Sequence, residues 1–130
     1  MVIILITHDL GVIAEMADRV IVMYAGRVCE VADVESAFYS PAHPYTQGLL
    51  GSLPRLDSRS GDRLARIVGQ PPSLLALPSG CAFHPRCPHA LVPGICSEVR
   101  PELLSLPAVG HLAACHRTDE IEWKPLEAAG

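Results

Sequence analysis

Four of the five cysteines in this chain, Cys81, Cys87, Cys96 and Cys115, fall within its second half, separated in turn by five, eight and eighteen residues. Thiolates are soft ligands suited to zinc or to iron–sulfur clusters. Zinc sites usually draw on close pairs separated by about two to four residues, and no such pair occurs here. The wider spacing suits a larger cluster. The alternative is four reduced cysteines filling a small core. His84, His89, His111 and His116 lie in the same stretch. Each could replace a thiol in a zinc site, or serve as a surface or supporting residue. Cys29 stands apart, as a small core residue.

Two further histidines sit in suggestive places. His8 follows the apolar run Ile3-Ile4-Leu5-Ile6-Thr7. An imidazole at the end of a strand can donate a hydrogen bond to charge developing on a phosphate. The alternative is a strand-end histidine bonded to nearby backbone. His43 lies in Ser40-Pro41-Ala42-His43-Pro44-Tyr45-Thr46-Gln47-Gly48-Leu49-Leu50. This reads as a proline-broken turn leading into a short helix, with His43 and Tyr45 pinning the turn.

The elements that must position these residues can be read from pattern. Residues 2–7 read as a buried strand, aliphatic on both faces, as in a parallel sheet covered by helices. Asp9 caps a helix over 10–17, whose apolar Val12, Ile13 and Met16 share a face. Residues 20–24 and 27–31 read as a hairpin across Ala25-Gly26, with Gly26 able to take positive φ. Asp33 caps a helical turn over 34–39, and Pro44 suits the first turn of a helix at about 44–51. From Pro54 to Arg63 the composition turns polar, as in a linker. Prolines are dense from 71 to 107, so long helices are not expected there. So irregular a segment needs a staple, which a metal site would supply.

Composition narrows the class. The 130 residues are 49% hydrophobic and 18% charged, with a net charge of −4. Nothing points to a nucleic-acid partner. The longest aliphatic run, Val2–Ile6, is far short of the roughly 20 residues that span a bilayer. An odd cysteine count without a basic, apolar leader argues against a secreted disulfide framework. The expectation is a soluble cytoplasmic protein docked on a membrane partner.

Thr7-His8-Asp9-Leu10, Ala17-Asp18-Arg19-Val20-Ile21-Val22-Met23 and Gly26-Arg27 together resemble the last part of the catalytic core of ABC transporter ATPases. The resemblance implies that His8 is the switch residue that senses the γ-phosphate. The His43-Pro44-Tyr45-Thr46 element resembles that of the oligopeptide/dipeptide branch of these importers, which includes nickel transporters. Gly69-Gln70-Pro71-Pro72-Ser73-Leu74-Leu75, Pro78-Ser79-Gly80-Cys81-Ala82-Phe83-His84-Pro85-Arg86-Cys87-Pro88 and Ala114-Cys115-His116 resemble the C-terminal extension of that branch. There the four matching cysteines, Cys81, Cys87, Cys96 and Cys115, hold a [4Fe-4S] cluster, with zinc as the alternative. Leu75-Ala76-Leu77-Pro78 leans towards the subunit named D in the dipeptide systems.

The resemblance implies an α/β fold: the C-terminal piece of a P-loop ATPase sheet (1–53), a linker (54–68), a small proline- and cysteine-rich irregular domain (69–117) and a disordered tail (118–130). The phosphate-binding loop, the Mg-binding acidic motif and the signature motif would lie upstream of Met1. ATP and Mg would therefore bind only in the intact subunit, and this chain should not hydrolyse ATP alone. The implied partners are a second ATPase subunit, the transmembrane permease subunits and, indirectly, an extracytoplasmic peptide-binding protein. The implied location is the cytoplasmic face of the membrane. Peptides are favoured over nickel as cargo. Two other readings remain: an autonomous iron–sulfur or zinc module, structural or redox-responsive, and a truncated reading frame without separate function.

Overall fold

The computed structural model describes residues 2–7, 9–51 and 73–121. Asp9 opens helix α1 (Leu10–Met16), its side chain accepting from the N–H groups of Gly11 and Val12. Those amides have no partner inside the helix, so the carboxylate satisfies them. A hairpin follows, β1 (Arg19–Tyr24) and β2 (Arg27–Asp33), paired antiparallel. Both turn residues have positive φ, 52° at Ala25 and 76° at Gly26. Positive φ at both central positions matches the twist of a tight hairpin. Asp33 then caps α2 (Val34–Tyr39) through Ser36 N–H, and Pro44 begins α3 (Pro44–Gly51).

The hairpin register slips once. Val22 pairs with Glu30 and Met23 with Val28, which leaves Cys29 as the extra residue. This β-bulge breaks the alternation of faces, so Cys29 and Glu30 are both buried although adjacent.

The second half contains a 3₁₀ turn (His84–Arg86), α4 (Ile95–Glu98) and two-residue strands β3 (Leu104–Ser105) and β4 (Leu112–Ala113). As the proline density implies, no long helix forms there among the described residues. The four strands make one antiparallel sheet in the order β1-β2-β4-β3. The hairpin and the cysteine-rich stretch therefore share a sheet. They also share a core of Tyr24, Cys29 and Phe83, against which Tyr45, Cys81 and Cys87 pack.

The α/β expectation holds at this coarse level, while the buried strand over 2–7 does not. Val2, Ile3, Ile4 and Ile6 are 77–93% exposed and the segment forms no strand. A strand buried on both faces needs paired edges and covering layers, and among the described residues nothing supplies them. The sheet that does form is antiparallel.

Candidate thiol site

Phe83 lies between Cys81 and Cys87, and its ring is the hinge of the site. It meets Tyr24 edge-on at 5.2 Å, Tyr45 at 5.4 Å and His43 at 5.9 Å. Tyr24 in turn lies 4.6 Å from Tyr45. Aromatic burial of this kind anchors the cysteine-bearing loop on the hairpin and on the His43-Pro44-Tyr45 turn. The loop is folded by its own backbone bonds, including His84 N–H to Cys81 O and Arg86 N–H to Phe83 O. Cys81 N–H donates to Cys96 O at 2.9 Å, which joins the loop to α4. Gly80 makes that approach possible. Its φ is +71°, and a Cβ there would lie 2.6 Å from the Cys96 carbonyl oxygen.

Cys81, Cys87, Cys96 and Cys115 all line one small cavity of about 20 Å³, and none is in a disulfide. Burial is the first cause that raises the thiol pKa of Cys81 and Cys87, and it pushes Cys115 up to about 11. The charges of neighbouring thiolates push in the same direction. Backbone N–H groups act against this: those of Phe83 and His84 on Cys81, of His89 on Cys87, and of Arg117 on Cys115 at 3.4 Å. Four thiols are thus gathered, Cys96 buried and the other three partly buried, with donors aimed at three of them. Each thiolate would be stabilised by a cation at the centre.

The donor set is four thiols, the soft kind that zinc and iron–sulfur clusters both take. A single tetrahedral zinc would need its sulfurs only about 3.8 Å apart. Among the described residues, no three His, Cys, Asp or Glu side chains are grouped closely enough to hold a metal ion. His84, His89 and His116 also line the cavity. His84 Nδ1 is buried without a hydrogen-bond partner, which leaves a polar atom beside the thiols for a bound group to satisfy. His116 instead engages Val99 O at 2.6 Å. His111 faces elsewhere: its Nε2 lies 2.5 Å from Glu30 Oε2. His8 lies outside the described residues. Cys29 is buried in the core, as expected, with its thiol raised to about 12, chiefly by burial.

Sequence reading missed Glu30. Its side chain is 1% exposed, and it accepts from Ala42 N–H at 2.8 Å and His43 N–H at 2.9 Å besides pairing with His111. The available signal was an acidic residue flanked by the apolar Val28-Cys29 and Val31-Ala32 within the strand.

The family model for the "Oligopeptide/dipeptide transporter, C-terminal region" matches residues 29–93. The chain is 56% identical over 117 residues to the oligopeptide transport ATP-binding protein OppD of Mycobacterium tuberculosis, covering 90% of this chain and 19% of that protein. It is 51% identical over 118 residues to OppD of Salmonella typhimurium, covering 91% of this chain and 34% of the relative. It is 54% identical over 99 residues to the dipeptide transport ATP-binding protein DppD of Bacillus subtilis, covering 76% and 29%. The chain therefore spans about a third or less of these curated relatives. The matched region runs from the bulge in β2 through the first two thiols of the cavity, and the chain belongs to the oligopeptide/dipeptide transporter C-terminal region family.

Proposed function

We propose that this chain is the C-terminal part of the ATP-binding subunit of a peptide-type ABC importer, and that its thiol cavity holds a [4Fe-4S] cluster. The observation that carries the cluster reading is the convergence of Cys81, Cys87, Cys96 and Cys115 on one cavity walled by the His43-Pro44 turn. When bound, such a cluster supplies either a covalent crosslink between loops or a one-electron redox centre. The four cysteines would ligate it. The N–H donors of Phe83, His84, His89 and Arg117 would stabilise the sulfurs, and Phe83 and Ile121 would restrict water.

Residues 1–53 act on this reading as the end of the ATPase domain, and 54–68 link it to a cysteine-rich extension at 69–117, with 118–130 as tail. His8 is the switch residue towards the γ-phosphate of ATP held with Mg in the intact subunit. A second ATPase subunit and the permease subunits are the partners, on the cytoplasmic face of the membrane. Among the described residues no helix is long and apolar enough to cross it. The sole lysine of the sequence is Lys124, so no Gly-rich loop ending in Lys-Ser/Thr is present. The purified chain is expected to release no phosphate from Mg-ATP, and steady turnover would contradict the fragment reading.

The cluster is tested by an anaerobic absorption spectrum with iron, sulfide and zinc quantified. A broad band near about 400 nm with roughly four irons and four sulfides per chain supports it. Cys87→Ser should abolish the band. Stoichiometric zinc without iron, or no metal, would overturn it.

A further inference from the structure

Residues 79–81 lie directly against the start of α4. Ser79 Oγ donates to Ser97 O at 2.7 Å, and Cys81 N–H donates to Cys96 O at 2.9 Å. Between these two bonds, Gly80 comes so close that a Cβ would stand 2.6 Å from Cys96 O, 2.7 Å from Ser97 C and 2.9 Å from Glu98 N. An N–H···O bond of this length sets the two Cα atoms about 5–6 Å apart, within the roughly 4.4–6.8 Å that a disulfide spans. Cys81 and Cys96 are both free thiols and line the same cavity. At about 20 Å³ that cavity has room for little more than one water, so its walls stand close together. Among the described residues, no backbone hydrogen bond joins any other two of the five cysteines.

We propose that Cys81 and Cys96 are a redox pair: with no metal bound to them, hydrogen peroxide joins their sulfurs in a disulfide, and thiol reductants reopen it. Cys81 reacts first, because it is only partly buried while Cys96 is buried. Its thiolate attacks one peroxide oxygen. An S–O bond forms, the O–O bond breaks, and the departing hydroxide takes up the thiol proton as water. The Cys96 thiolate then attacks the Cys81 sulfur. The S–S bond forms, the S–O bond breaks, and a second water leaves with the Cys96 proton. Two thiols have then lost two electrons and two protons, and one peroxide has become two waters. The disulfide withdraws two of the four soft ligands at once, so an oxidised chain cannot hold a metal through all four. In a reducing compartment such a bond is transient, which suits a switch over metal loading. The pairing itself needs no metal, so it stands or falls apart from the cluster reading.

The test treats the reduced, metal-free 130-residue chain with hydrogen peroxide. Remaining thiols are blocked with iodoacetamide, and linkages are mapped by peptide mass spectrometry with fragment-ion sequencing. The expected product is one disulfide within the chain, Cys81–Cys96, with Cys29, Cys87 and Cys115 alkylated, and dithiothreitol should reverse it. Linkage of Cys81 mainly to another cysteine, oxidised sulfur without linkage, or linkage only between chains would overturn the proposal. Two variants test the geometry. Gly80→Ala forces the Cys81 loop off the Cys96 backbone, whereas Gly26→Ala puts a similar φ strain where a Cβ meets nothing. The disulfide should form about tenfold more slowly in Gly80→Ala and at the wild-type rate in Gly26→Ala. Equal rates in the two variants would overturn the proposal, because the approach of the loop to α4 would then not govern the reaction. If the untreated chain takes up no iron while this linkage forms, the cluster reading fails and the redox pair stands.

Discussion

Glu30 and His43 are two ionisable side chains held almost wholly out of water, and they behave differently. Glu30 has three hydrogen bonds, two from backbone amides and one with the His111 ring, so its burial is compensated. His43 is held neutral. Burial, partly offset by the Glu30 carboxylate, lowers its pKa from 6.5 to about 4. The unfolded chain binds this proton more readily than the folded one. Its contribution is therefore complete above pH 6.5 and is lost as pH falls through 6.5 towards 4. Urea unfolding should show an acid loss of about 2 kcal/mol between pH 7 and pH 5 that is missing in His43→Gln. Parallel pH profiles for the two proteins would contradict the assignment. None of this was legible in the sequence, because the Glu30–His111 contact joins residues 81 positions apart. The sequence does show His43 between two prolines, which marks a turn without saying what its ring reaches.

At the scale of elements, the parts governed by local chemistry were readable. Asp9, Asp33 and Pro44 each place a helix start, because a cap or a fixed φ acts within three residues. The hairpin was readable from two apolar runs around Ala25-Gly26. The bulge was not, since register depends on what both faces pack against. Strands β3 and β4 were also hidden: two residues carry no periodicity, and they exist through pairing with β2. Gly80 offers a test of how the loop and α4 meet. Gly80→Ala adds a strained φ and a collision with Cys96 backbone, whereas Gly26→Ala, at φ +76°, meets open space. Both lose stability from the φ strain, about 1–3 kcal/mol. Only Gly80→Ala should also lower iron and sulfide content, because only there must Cys81 move away from Cys96. Equal iron retention in both variants would argue that the Cys81–Cys96 approach is unimportant.

At the scale of the whole molecule, the apolar surface is unevenly spread. Val2, Ile3, Ile4 and Ile6 stand exposed, and Ile21 and Met23 are exposed on β1 at the sheet edge. A free apolar edge of this kind invites pairing with another chain. The purified chain should therefore self-associate with rising concentration in sedimentation velocity. Replacing Ile4 and Ile6 together by Lys should reduce association while leaving the thermal midpoint unchanged. An unchanged association profile would place the sticky surface elsewhere. The aliphatic run reads as a buried strand because its pattern asks for two covered faces, but it forms none, since among the described residues nothing covers it. The pairing of β2 with β4 carries a further consequence, in time. The hairpin closes over a two-residue turn, whereas β4 must return across most of the chain, and such distant closures come late in folding. During synthesis, Cys81, Cys87 and Cys96 emerge before the residue that completes their ring. For that interval three thiols lack the strand that buries the fourth beside them, and are open to whatever oxidant meets them first.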